Sequence, residues 1–95
     1  MSNSTMNQQL FQDLVIVNEL GLHARSAAKL AKLAQQAQNG VWLEKDDERV
    51  DAKEVIDILT LAAAKGDQVR ITIDHSRDRE TLDRIAQLIE AGFGE

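Results

Sequence analysis

The stretch "LGLHARSAAKL" (residues 20–30) joins two patterns of different period, and the fold turns on how it is read. Upstream, "FQDLVIVN" (11–18) is apolar and β-branched, which predicts a strand. Downstream, Ala27, Leu30, Ala31, Ala34 and Ala37 recur every three or four residues, so the spacing predicts a helix over 24–38. Lys29, Lys32, Gln35, Gln36 and Gln38 fall largely on its other face. "GLHARS" therefore turns the chain from strand to helix and leaves His23 at about the N-cap. Asn39-Gly40 reads as the stop, with glycine taking the left-handed conformation that ends many helices.

Working outward, "VWLEK" (41–45) and roughly 48–51 read as short strands around a turn at Asp46-Asp47. Residues 53–65 read as a second helix closed by Gly66. "DQVRITID" (67–74) alternates, Val69, Ile71 and Ile73 facing one way and Arg70, Thr72 and Asp74 the other. "SRDRE" opens a third helix running to about residue 91, with Leu82, Ile85, Ala86 and Ile89 as its apolar stripe and Phe93 packing just beyond. The order is β-α-β-β-α-β-α. One apolar face per strand and one stripe per helix predict an α+β fold in two layers: a four-stranded antiparallel sheet covered on one face by three helices. The polar residues 1–9 read as a flexible tail, and 10–95 as a single domain.

Composition narrows the function. A chain of 95 residues holds one core. Its net charge of −5 and three aromatic side chains argue against a nucleic-acid partner, which needs clustered cations and stacking surfaces. Without cysteine there is no disulfide, thiolate metal site or thiol nucleophile, and two distant histidines lack ligand spacing, so no metal is expected. "MSNSTMNQQ" has no basic start or apolar core, and no run approaches the ~20 apolar residues of a membrane span. The expectation is a cytoplasmic protein without a membrane association.

Chemistry concentrates at His23. The first turn of a helix leaves amides without internal acceptors, and the dipole adds partial positive charge there. That field favours an anion and a neutral, nucleophilic imidazole. Arg25 could pair with phosphate oxygens through its forked donors, and the amides of Ala24, Arg25 and Ser26 could stabilise them. Such a site can accept a phosphoryl group and hold it briefly, with no cofactor of its own. The second helix carries more apolar residues than one stripe can bury: Ile56 points away from Ile58, Leu61 and Ala62, with Val55 and Leu59 between. A contiguous apolar patch there suggests a docking surface. His75 reads as a turn histidine with Ser76 or Asp78 as caps, "EKDDE" (44–48) as a solvated hairpin tip, and Trp42 as a core or half-covered residue.

"LGLHARSAAKL" and, in register, "VDAKEVIDILTLAAAKGDQVRI" (50–71) resemble HPr, the histidine phosphocarrier family of the bacterial phosphotransferase system. The resemblance covers about residues 11–93 and implies an open-faced β-sandwich. It further implies that His23 is phosphorylated on Nδ1 and that Arg25 pairs with the phosphoryl group. Enzyme I would be the donor and an enzyme IIA domain the acceptor, in sugar uptake or in nitrogen-related regulation of the NPr type. Val55, Ile56 and Leu59 match the docking surface, and a monomer is expected. Two residues depart from the family pattern. Ser26 replaces the usual proline after the arginine, adding an N–H and a hydroxyl within reach of a phosphate at some cost in rigidity. Glu54 stands where many relatives carry the serine modified by HPr kinase, so a permanent charge replaces that control. The alternative is a regulatory binding module that acts through the apolar patch of residues 53–65 without phosphotransfer.

Overall fold

In the computed structural model, which describes residues 9–95, the strictly alternating strand is the pivot of the sheet. The strands are β1 (Leu10–Val15), β2 (Val41–Lys45), β3 (Glu48–Asp51) and β4 (Gln68–Ile73), in the order β1-β4-β2-β3. All neighbours are antiparallel, with Gln12 opposite Ile71 and Leu43 opposite Ile71 on its other side. Because side chains alternate across a strand, that register collects Leu14, Leu43, Val69, Ile71 and Ile73 on one face. The helices α1 (Ala24–Ala34), α2 (Val55–Thr60) and α3 (Arg79–Glu90) cover it. The two-layer expectation holds. The tail expected over 1–9 lies outside the described residues but for Gln9.

The core is the union of the expected stripes. Ala27, Leu30, Ala31, Ala34 and Ala37 of the first helical segment are buried, as are Leu82, Ile85, Ala86 and Ile89 of α3. Phe93 is buried beyond that stripe. Each large aliphatic so enclosed contributes about 1.5–3 kcal/mol relative to an exposed one. Trp42 is half-covered, its Nε1 donating to Asp74 at 3.0 Å.

Helix lengths differ from the periodic reading, each time for a tertiary reason. α1 ends at Ala34 rather than 38, because the amides of Gln36 and Ala37 turn back to the carbonyls of Leu33 and Ala34. The next two amides, of Gln38 and Asn39, donate to the buried carboxylate of Asp78, both at 2.9 Å. Asp78 thus makes no side-chain cap on its own helix, and the cap of the turn before α3 is His75, whose Nδ1 accepts the Arg77 amide at 3.0 Å. Gly40 does not take the left-handed conformation. A Cβ there would lie 2.3 Å from the Asp74 carboxylate, so a larger residue would require the Asp74 and Trp42 side chains to shift.

The expected 13-residue second helix shrinks most, to the six residues of α2. Ala62 breaks it with φ 51°, a conformation costing an alanine about 1–2 kcal/mol. What holds it there is the loop before α1, whose Leu22 amide donates to the Ala63 carbonyl at 2.9 Å. Gly66 sits in a separate turn at φ 94°, its amide bonded to the Ile16 carbonyl at 2.7 Å. Past Val15 the chain is likewise irregular, with the Ile16 amide donating to the Asp67 carbonyl.

Candidate functional site

The loop from Ile16 to Leu22 is pinned at both ends by residues 63–67, and this delivers His23 to the mouth of α1. Gly21, at φ 65°, makes the last bend, and Leu22 is buried beside it. His23 then takes an extended backbone (φ −109°, ψ −176°) as N-cap, and its carbonyl accepts the first helical bond from Ala27 at 2.8 Å. The Ser26 hydroxyl closes a reciprocal capping box by accepting the His23 amide at 3.0 Å. It donates in turn to the Gly21 carbonyl at 2.9 Å. Ser26 is fully buried, so its hydroxyl points inward and stiffens the turn instead of reaching toward a phosphate.

The imidazole is about a quarter exposed, with its two nitrogens in different surroundings. Nδ1 lies 3.4 Å from the Arg25 amide, at the open first turn of α1 where Ala24, Arg25 and Ser26 have no intrahelical acceptors. Nε2 lies 2.7 Å from Oε2 of Glu95. A carboxylate can only accept, so Nε2 carries the hydrogen and the lone pair of the neutral ring falls on Nδ1. Arg25 is exposed, and its guanidinium makes no hydrogen bond among the described residues. His23, Arg25 and the three first-turn amides are therefore brought together.

The apolar patch is more divided. Ile56 is 75% exposed, whereas Val55 and Leu59 are half-buried against the core. Leu20, next to Gly21, is 68% exposed and was not legible as a surface residue from periodicity. Glu54 is the exposed N-cap of α2 and makes no side-chain hydrogen bond to it.

Glu95 and Asn18 escaped sequence reasoning altogether. Asn18 donates to the Gly21 carbonyl at 2.9 Å and to Oε1 of Glu95 at 3.1 Å. The available signal lay in "AGFGE" (91–95), where Gly92, Phe93 and Gly94 all take positive φ and fold the chain back. Asn18 donation holds the Glu95 carboxyl below its ordinary value of 4.5, burial opposes this, and His23 and Arg25 reinforce it.

Three other carboxylates are lowered. The Arg70 hydrogen bond does so for Asp13, the Lys65 hydrogen bond for Glu19 and the Ala64 amide for Asp67. A folded-state pKa below the unfolded one contributes stability that is complete above the ordinary value and is lost as pH falls through the lowered one. The thermal midpoint, followed by circular dichroism, should therefore be flat above about pH 5 and decline below about pH 4.

A family model described as the PTS HPr component phosphorylation site matches residues 11–91. The phosphocarrier protein HPr of Neisseria meningitidis is 38% identical over 86 residues, 90% of this chain and 97% of that protein. The phosphocarrier protein NPr of Klebsiella oxytoca is 40% identical over 85 residues, covering 88% and 94%. The crystal structure of HPr-C-His from Thermoanaerobacter tengcongensis superposes with a TM-score of 0.85 at 32% identity, over 90% of this chain and 97% of that one. With the same open-faced sheet, and with the matched residues 11–91 including the strand-to-helix junction at His23, this chain belongs to the HPr family of the phosphotransferase system.

Proposed function

We propose that this chain is a phosphohistidine carrier in which His23 Nδ1 takes a phosphoryl group from enzyme I and passes it to an enzyme IIA domain. The observation that carries the reading is the division of the His23 ring, with Nε2 on a carboxylate and Nδ1 toward the first turn of α1. In the transfer, the Nδ1 lone pair forms the new N–P bond while the old one breaks, and its electron pair returns to the donor's histidine nitrogen. Arg25 and the amides of Ala24, Arg25 and Ser26 stabilise the phosphoryl oxygens as charge redistributes. Reversal against a second protein empties the site, so this chain needs no cofactor.

Family membership supports the carrier role, and relatives named HPr and NPr match over nearly the same span. On this reading Glu54 fixes a negative charge near the start of α2, and serine-directed control by HPr kinase is absent there. The carrier works as a monomer in the cytoplasm; among the described residues no helix is long and apolar enough to cross a membrane. Incubation with enzyme I and phosphoenolpyruvate should produce an acid-labile phosphoramidate detectable by mass spectrometry. Failure to form one under conditions that phosphorylate an authentic HPr would sink the reading.

The exposure of Ile56 favours a second role for the same face, as a docking surface for the transfer partners with Val55 and Leu59 supporting it from beneath. Ile56→Asp should raise the KM for this chain as enzyme I substrate by about 30-fold, the size of a central interface contact, with kcat little changed. The purely regulatory alternative is distinguished by output in cells. If His23→Ala preserves it while Ile56→Asp abolishes it, binding without phosphotransfer is the function.

A further inference from the structure

Of the asparagines in the chain, only Asn39 precedes a glycine. The pair lies in the joint between α1 and β2, at the far end of α1 from His23. Its main chain is held on both sides. The Asn39 amide donates to Asp78 Oδ2 at 2.9 Å, and the Gly40 carbonyl accepts the Asp74 amide at 3.0 Å. Its reactive groups are not held. The Asn39 side chain is exposed and makes no hydrogen bond among the described residues. The Gly40 amide makes none either, because the ladder with β4 begins one residue later, at Val41 opposite Ile73. A side chain at position 40 would have to displace Asp74 and Trp42, whose indole donates to that carboxylate at 3.0 Å. Asn18 differs on every count: it is buried, it precedes Glu19, and its amide nitrogen is engaged by two acceptors.

We propose that Asn39-Gly40 is a modification site of the folded chain, at which the Gly40 nitrogen attacks the Asn39 side-chain carbonyl and isoaspartate results. The bond from the Gly40 nitrogen to Asn39 Cγ forms, the bond from Cγ to Nδ2 breaks, and the amide proton leaves with Nδ2 as ammonia. Water, the one co-reactant, then opens the five-membered imide. Its addition at Cγ gives aspartate. Its addition at the main-chain carbonyl of residue 39 gives isoaspartate, in which the chain runs through the former side chain. Glycine at position 40 favours ring closure because no Cβ crowds the attacking nitrogen and its backbone turns freely. The isoaspartate adds a methylene to the main chain between two fixed points, the amide held by Asp78 and the carbonyl held by Asp74. Both bonds cannot keep their geometry. Asp78 is 5% exposed and accepts from the Gln38 and Asn39 amides, and a buried carboxylate deprived of donors is destabilising. The product also adds a negative charge to a chain already at −5.

The test incubates the folded wild type in mildly alkaline buffer beside the same chain unfolded in urea. Cleavage after Lys32 and Lys45 releases residues 33–45, with Asn39 as their sole asparagine. Isoaspartate is read as methyl transfer from S-adenosylmethionine by an isoaspartate-directed carboxyl methyltransferase, and as exchange of NH2 for OH in the mass of that peptide. The folded chain should react at Asn39 within about tenfold of the unfolded rate, as befits a segment that need not open first. Asn39→Ser should give neither signal and should melt with fresh wild type. The isoaspartate form, separated by anion exchange, should melt about 4–8 °C below the unmodified chain, the shift that loss of one buried hydrogen bond produces in a domain of this size. Asn39→Asp carries the charge without the added methylene and should melt between the two. A folded chain that reacts more than about tenfold slower than the unfolded one overturns the site. So does an equal methyl-transfer signal from Asn39→Ser. An isoaspartate form that melts with Asn39→Asp overturns the rerouted main chain. None of these readouts involves phosphoryl transfer, so the result stands apart from the carrier reading.

Discussion

Alanine in place of His23 is expected to abolish phosphorylation by enzyme I and phosphoenolpyruvate while leaving the chain folded. The loss should be at least about 10³-fold, as befits removal of the nucleophile from a site whose other members only bind and orient. Stability should change little. The side chain contributes one long cap contact to the Arg25 amide and one to Glu95, together worth about 1 kcal/mol, whereas the Ser26 hydroxyl still ties the first turn to Gly21. His75 does not replace it, although "HSR" (75–77) echoes "HAR" (23–25). Arg77 covers its ring from both sides, Nε donating to Nδ1 at 3.1 Å beside the Arg77 amide and Nη2 lying 3.1 Å from Nε2, whereas the Arg25 guanidinium leaves the His23 ring clear. Intact-mass measurement with and without acid treatment reads the result. An acid-labile adduct of undiminished yield on His23→Ala would move the acceptor elsewhere.

Gly21→Ala is expected to cost about 3 kcal/mol or more, a large part of the stability of a domain this size. Two independent penalties combine. The backbone at φ 65° costs a residue with a side chain about 1–2 kcal/mol. The new methyl group would also lie 2.5 Å from the Ala63 carbonyl oxygen and 2.8 Å from the Ala64 Cα. Neither neighbour is a flexible side-chain end, so the loop must move, and overpacking of this kind typically adds 1–3 kcal/mol. The movement breaks the Leu22–Ala63 bond at 2.9 Å and carries His23 with it. Urea unfolding should show a lower midpoint, and phosphoryl uptake should fall even in the fraction that remains folded. A variant as stable as the wild type would mean that the loop reaches Ala63 by another route.

Much of the molecule was legible before folding was considered. The strict alternation of Val69, Ile71 and Ile73, and the three- and four-residue spacing of Leu30, Ala31 and Ala34, are local consequences of strand and helix periods, so the element order and buried faces follow from them. His23 and Arg25 were legible for a similar reason: they are two residues apart at a helix start, and a helix start has the same electrostatics wherever it occurs. The hydroxyl of Ser26 was read in the wrong direction, because only the approach of Gly21 reveals an acceptor inside the turn.

The sequence by itself determined the two-layer architecture, the core faces and the pair of residues at the mouth of α1, since all of these depend on neighbours within about four positions. Tertiary structure alone decided where the helices stop and what the histidine touches. Asp78 captures the amides beyond α1 from 39 or more residues away, and Ala62 gives up helical geometry where the Ala63 carbonyl receives Leu22. Glu95 reaches His23 across 72 positions. Hydrogen-bond groups stripped of water must find partners wherever the packed chain provides them, and no local periodicity records which distant residue that will be.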